Sequence, residues 1–202
     1  MKRVGVVDYD AGNLTSVKTA LKFLEAEYIV SSRTEELDET ELLIFPGVGE
    51  ARTAMQNLRS RGLDHFIRDY FQSGRQMLGI CLGSQIVLSK SEEHRTECLD
   101  IVPGTARRFS RTSGLKVPHM GWNQVYPLRP SALFNDIPAG TSFYFVHSYY
   151  PDPKTETAIL ASAEYGITFT SALQLDNLHA VQFHPEKSGK WGLKLLQNFL
   201  NF

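Results

Sequence analysis

Cys81 stands between glycines at positions 79 and 83, inside the run Gly79-Ile80-Cys81-Leu82-Gly83-Ser84-Gln85. An apolar segment that enters a small-residue turn and leaves as a helix is the layout of a nucleophile elbow, here with a thiol in place of a hydroxyl. Such a turn crowds its own backbone, so the flanking positions must be small. It leaves the thiol exposed at the carboxyl end of a strand, above unpaired N–H groups that favour negative charge. An unassisted cysteine is more often an inert core side chain. To attack a carbonyl it needs a base, a group that orients the base, and donors for the oxyanion. Among the six histidines, His184 is followed by Pro185 and Glu186. Proline restricts the preceding residue to an extended backbone, so His184 and Glu186 are presented together at a strand end. There the imidazole can take the thiol proton while the carboxylate holds its tautomer. The N–H of Leu82 is the expected first oxyanion donor, and Pro46-Gly47-Val48-Gly49, at another strand end, is suited to supply the second. Taken singly these pieces have plain structural readings, as a buried cysteine, a Pro-Gly turn and a surface turn. Taken together and in this order they point to thiol attack on a carbonyl.

The elements that must carry these residues are legible as an alternation. Residues 1–8 read as a first strand and 14–27 as a helix, with Leu14, Val17, Leu21 and Leu24 on one face and Asn13 as its N-cap. Residues 28–30 and 42–45 read as strands, with an acidic loop or short helix over 35–41 between them. Helices are expected over 52–59 and 63–72, closed by Gly74, before the Cys81 strand and a helix continuing through Leu88. Strands alternating with helices predict a mostly parallel sheet covered on both faces, with ligands at the strands' carboxyl ends. From about residue 104 the pattern changes to strand-like runs at 143–146, 158–161, 167–170 and 180–183, read as antiparallel additions, and a last helix at 191–199. No linker, repeat or low-complexity stretch interrupts the chain, which reads as one domain, 1–202.

Composition narrows the classes of function. The chain has 202 residues, 42% of them apolar and 21% charged, with a formal net charge of −1, so it offers nucleic acid no basic footprint. No run is long enough to cross a membrane. The two cysteines, Cys81 and Cys98, are too few for a disulfide framework and fit a reducing cytoplasm. Cys98 lacks a glycine frame and reads as structural. His65 and His94 lie in polar settings and read as surface residues, and His179 has no carboxylate close in sequence. No H-x-x-x-H or C-x-x-C spacing supports a metal, and no cofactor is expected. The chain has no phosphate-binding loop of the P-loop or dinucleotide kind, so chemistry on any phosphorylated acceptor is expected to lie elsewhere, on a partner.

The motifs Pro46-Gly47-Val48-Gly49, the Cys81 elbow and Gln182-Phe183-His184-Pro185-Glu186 resemble the triad-type class I glutamine amidotransferases. Gly12-Asn13-Leu14-Thr15-Ser16-Val17, Pro118-His119-Met120-Gly121-Trp122-Asn123, Phe143-Tyr144-Phe145-Val146-His147-Ser148-Tyr149 and His184-Pro185-Glu186-Lys187-Ser188 are similar to the glutaminase subunits of imidazole glycerol phosphate synthases. The resemblance runs nearly end to end and implies a flavodoxin-like α/β fold. It implies a glutamyl thioester on Cys81, with His184 as acid and base and Glu186 orienting it. Val48, Gly49 and Leu82 would form the oxyanion hole, and Gly49, Gln85, Glu93, Ser148 and Tyr149 would hold glutamine. Ammonia would pass to a (β/α)8-barrel cyclase subunit in a heterodimer, with Asn13, His119, Met120, Gly121, Trp122, Tyr144 and Lys187 near that partner. The sequence departs from the pattern at Ser84, where methionine is commoner, and at Asp10, where glycine is commoner. Those departures leave open a paralogue feeding another acceptor, such as a sugar. A free-standing cysteine hydrolase is a further alternative.

Overall fold

The computed structural model describes residues 2–10, 14–110 and 114–202. The amino-terminal half alternates as expected: β1 (Val4–Val7), α1 (Leu14–Phe23), β2 (Tyr28–Ser31), α2 (Thr34–Asp38), β3 (Leu42–Gly47), α3 (Ala51–Ser60), α4 (Leu63–Gln72) and β4 (Gln76–Cys81). The elbow helix α5 (Leu82–Ile86) is followed by β5 (Leu88–Ser91), β6 (Thr96–Glu97), β7 (Val102–Arg108), β8 (His119–Pro127), β9 (Thr141–His147) and β10 (Tyr149–Pro153). The chain closes with β11 (Ile159–Glu164), β12 (Thr168–Leu175), β13 (Leu178–Val181) and α6 (Gly189–Leu200). Asn13, expected to cap α1, lies outside the described residues.

A nine-stranded sheet runs in the order β2-β1-β3-β4-β13-β12-β11-β8-β9. Its first five strands are parallel and the remaining four antiparallel. The class is therefore α/β with a mixed sheet. Successive residues of the central strands face opposite cores, which is why those strands are apolar throughout. Leu42 and Ile44 of β3 join α1 and α6 through Val17, Leu21, Leu195 and Phe199. Leu43 and Phe45 join α3 and α4 through Met55, Leu58, Leu63 and Ile67. Among the described residues no helix is long and apolar enough to cross a membrane.

Four expectations are corrected. Helix α1 stops at Phe23, because Glu25 takes φ 55° and its N–H turns back to the Lys22 carbonyl. Strand β3 runs on through Pro46 and Gly47, which pair with Ile80 and Cys81 of β4. The missing proline N–H is tolerated since pairing with β1 has ended at Ile44. The elbow helix ends at Ile86, and Leu88 begins a strand of a second, four-stranded sheet, β10-β7-β5-β6. Short apolar runs do not distinguish helix from strand by pattern. Finally, β13 is not an antiparallel addition on its inner side, because it pairs in parallel with β4.

Candidate active site

That last pairing brings the chemistry together. Parallel β3, β4 and β13 lie side by side, with Gly47 level with Cys81 and Val181 level with Ile80, so their carboxyl ends open on one edge. At that edge Cys81 sits between β4 and α5 with φ 55° and ψ −106°, a strained conformation for a residue with a side chain. The tight packing behind it accounts for the glycines. A Cβ on Gly83 would lie 2.4 Å from the Phe45 carbonyl oxygen, and one on Gly79 would lie 3.1 Å from the Gly83 backbone. Ser84 closes the turn by donating to the Cys81 carbonyl at 2.7 Å.

Three residues beyond β13, His184 Nδ1 meets Glu186 Oε1 at 2.7 Å, with both side chains at most 1% exposed. The backbone of His184 is held from both sides. Its N–H donates to the Tyr144 carbonyl at 2.9 Å, and its carbonyl accepts from Ser188 Oγ at 2.6 Å. Burial alone would lower the His184 pKa. The neighbouring Cys81 charge and contact, followed by the Glu186 hydrogen bond and charge, outweigh burial and raise it to about 10. Its Nε2, on the Cys81 side, makes no hydrogen bond of good geometry among the described residues.

The sulfur itself is contacted by Gln182 Nε2 at 3.7 Å and the Val146 carbonyl at 3.9 Å. Gln182 accepts from Gln85 Nε2 at 3.0 Å, and Gln85 Nε2 also reaches the Tyr149 carbonyl at 2.9 Å. These buried amides tie the elbow, the β13 end and the opposite wall into one network. Gln182 falls within a sequence motif, but only its burial beside the sulfur reveals its task.

In front of Cys81 opens a cavity of about 270 Å³, lined by Val48, Gly49, Leu82, Gln85, Glu93, Ser148 and Tyr149, and also by Pro118, Val146 and His147. It has room for an amino-acid-sized molecule and presents a carboxylate, an amide and backbone groups. Gly49 takes φ 101°, a conformation that side chains resist, in the loop between β3 and α3. Glu93 follows β5 in a short 3-10 turn and accepts the Ala51 N–H at 2.7 Å, so it braces the start of α3 beside that loop.

Residues 5–201 match the family described as glutamine amidotransferase class-I. The chain is 46% identical over 200 residues to an imidazole glycerol phosphate synthase subunit HisH of Moorella thermoacetica, covering 98% of this chain and 94% of that one. It is 45% identical to the HisH of Nitrosococcus oceani, covering 100% and 98%. The chain belongs to the class I glutamine amidotransferases, among the HisH subunits of imidazole glycerol phosphate synthase. The amidotransferase fold is also seen in distant structures. The PurLQS structure of Thermotoga maritima aligns with TM-score 0.75 at 18% identity, covering 100% of this chain and 99% of that one. A crystal structure of a glutamine amidotransferase aligns with TM-score 0.74 at 22% identity, covering 98% and 97%.

Within this amidotransferase, every residue expected to hold substrate or form the oxyanion hole lines the cavity, and the expected triad meets beside it. The residues expected near a partner separate. Met120 and Trp122 point outward from β8, 62% and 60% exposed, and Tyr144 packs edge-on against Trp122 with centroids 6.1 Å apart. Lys187 is exposed and Gly121 half-buried. His119 is the exception, because strand alternation turns it inward, where it is buried. Asn13 lies outside the described residues. Of the other histidines, His65 and His94 are exposed and His179 is buried within β13. Cys98 is buried too, and burial pushes its thiol up to about 12.

Proposed function

We propose that this chain, as one domain, hydrolyses glutamine to glutamate and ammonia with Cys81, His184 and Glu186 as its triad. The observation that carries the reading is the buried His184–Glu186 pair beside a cysteine in a strained strand-to-helix turn. Cys81 sulfur attacks the side-chain carbonyl carbon of glutamine, and the oxyanion is met by backbone N–H groups of Leu82 and the Val48–Gly49 loop. The His184 imidazolium gives its proton to the amide nitrogen as the C–N bond breaks, releasing ammonia and leaving a γ-glutamyl thioester. A water then attacks the thioester while His184 takes its proton, glutamate leaves, and the thiolate is restored. Glu186 keeps the imidazole in the tautomer that faces sulfur. Gly49, Gln85, Glu93, Ser148 and Tyr149 hold glutamine, with the Glu93 carboxylate suited to its ammonium group.

Ammonia is then delivered to a (β/α)8-barrel cyclase subunit in a cytoplasmic heterodimer. There it opens a phosphoribulosyl nucleotide to give imidazole glycerol phosphate and an aminoimidazole carboxamide ribotide for histidine biosynthesis. The exposed Met120 and Trp122, with Tyr144, Gly121 and Lys187, form the face offered to that subunit. The 46% identity to HisH supports this assignment over a paralogue serving another acceptor. Glutamate release by the purified chain is the test, measured alone and then with the barrel subunit plus its nucleotide ligand. Low release alone and strong activation in the complex are expected. Rapid release by the isolated chain would overturn the coupled reading.

A further inference from the structure

Behind the cavity, β8 and β9 pair His119 directly with His147 on their inner face. His119 Nδ1 and His147 Nε2 are 2.9 Å apart. His147 Nδ1 is 2.7 Å from the Tyr149 carbonyl, and His119 Nε2 is 3.3 Å from Asn123 Nδ2. The direction of these bonds is dictated from one end. A carbonyl only accepts, so His147 Nδ1 carries hydrogen and, in a neutral ring, Nε2 is bare. It must then accept from His119 Nδ1–H, which leaves His119 Nε2 bare to accept from the Asn123 amide. Asn123 spends its other N–H on the Glu164 carbonyl at 2.8 Å.

The surroundings keep both rings neutral. Phe109, Phe145, Tyr165 and Phe169 enclose the pair, with Tyr165 stacked on His119 at 4.0 Å between centroids. Burial lowers the pKa of His119 to about 4 and that of His147 to about 3. A charged His147 would also repel the His184 imidazolium nearby. The Tyr149 carbonyl at the end of the chain is the same atom that anchors Gln85, and both residues line the cavity.

We propose that His119 and His147 form a direction-fixed hydrogen-bonded pair that positions the Ser148–Tyr149 wall and Gln85 for glutamine. This rests on the glutamine reading above. His119 acts as a positioning residue, since it touches the cavity only through His147. The strand that carries it also displays Met120 and Trp122 outward, so the partner face and the substrate wall share one rigid element.

The test uses the complex with the barrel subunit. It compares His119→Phe, which keeps the aromatic packing but removes the donor, with His119→Asn, which restores a donor near Nδ1. We expect His119→Phe to raise KM for glutamine about tenfold with kcat within about threefold, and His119→Asn to recover most of the loss. An unchanged KM in a folded His119→Phe would overturn the proposal. Imidazole 15N spectra of the unaltered chain give a second reading independent of folding of the variants. Both rings should hold hydrogen on Nδ1 alone between about pH 5.5 and 8, and a hydrogen on either Nε2 would overturn it. If the unaltered complex released no glutamate, the proposed function would fail, while the spectra would still decide the pair.

Discussion

In the proposed mechanism Glu186 carries no chemistry of its own, and its carboxylate, 2.7 Å from His184 Nδ1, acts by fixing the tautomer of that imidazole. A buried imidazole with one nitrogen on a carboxylate and the other facing sulfur has a single productive tautomer. Replacing Glu186 by Gln keeps the size but allows the amide to donate, which would stabilise the wrong tautomer. Glu186→Gln should therefore lower kcat for glutamate release by about 10²–10⁴-fold with KM for glutamine little changed. Steady-state kinetics of the complex check this. An equal loss through KM would mean that the carboxylate shapes the pocket instead. Ser84 and Asp10, the two departures from the family pattern, both find local partners that suit them. Ser84 bonds the elbow carbonyl, and Asp10, at φ 60°, pairs with Arg61.

The elbow works because an element boundary is compressed. The turn from β4 to α5 must pass close under the end of β3, and Gly83 is the position where that approach leaves no space. A Cβ there would collide with the Phe45 carbonyl, a backbone atom that cannot swing aside. Gly83→Ala should cost about 1–3 kcal/mol of stability, read as a lower urea midpoint, and should displace Cys81 from its register with Gly47. Gly49 contrasts with it, since nothing lies within 4 Å of where its Cβ would stand and its constraint is the backbone angle alone. The buried amides of Gln85 and Gln182 then lock the elbow to β13 and to the far wall. A side chain that ties three elements together cannot be assigned that task from its own segment.

The molecule as a whole carries buried histidines of opposite sense. Burial holds His119 and His179 at about 4 and His147 at about 3, against 6.5 for an unburied ring. The unfolded chain takes up protons on them from about pH 6.5 downward while the folded chain does not, so stability should fall as pH drops toward 4. His184 behaves in reverse, holding its proton up to about 10 when folded. Its contribution is full below about pH 6.5 and fades as pH rises to about 10. Urea midpoints measured across pH 4–10 should thus peak near neutrality, and a midpoint still rising on acidification below about pH 6 would contradict this. On the outer face, Trp122 stands 60% exposed beside Met120, an arrangement suited to a buried anchor in an interface. Trp122→Ala should weaken assembly with the proposed barrel subunit by about 30-fold or more, measured by calorimetry, without lowering the melting temperature appreciably.

Much of this was legible from the chain alone because the signals are local. The glycine frame around Cys81 reports backbone crowding, the His-Pro-Glu run reports a constrained strand end, and the 3.6-residue and strand-length patterns locate the elements of the first half. Val48, Gly49, Leu82, Gln85, Ser148 and Tyr149, which line the cavity, fall within the motifs that carry the family resemblance. What only the tertiary structure decided is adjacency. The chain alone could not show that β13 runs parallel to β4 and so delivers His184 to the edge that holds Cys81. Nor could it show that Leu88 leaves the elbow helix for a second sheet, because short apolar runs suit either element. The inward turn of His119, the His147 pair and the Gln85–Gln182 contact depend on strand registers that join residues 28 to 97 positions apart. Pairings at that distance are set by packing of the whole sheet, and no local pattern encodes them.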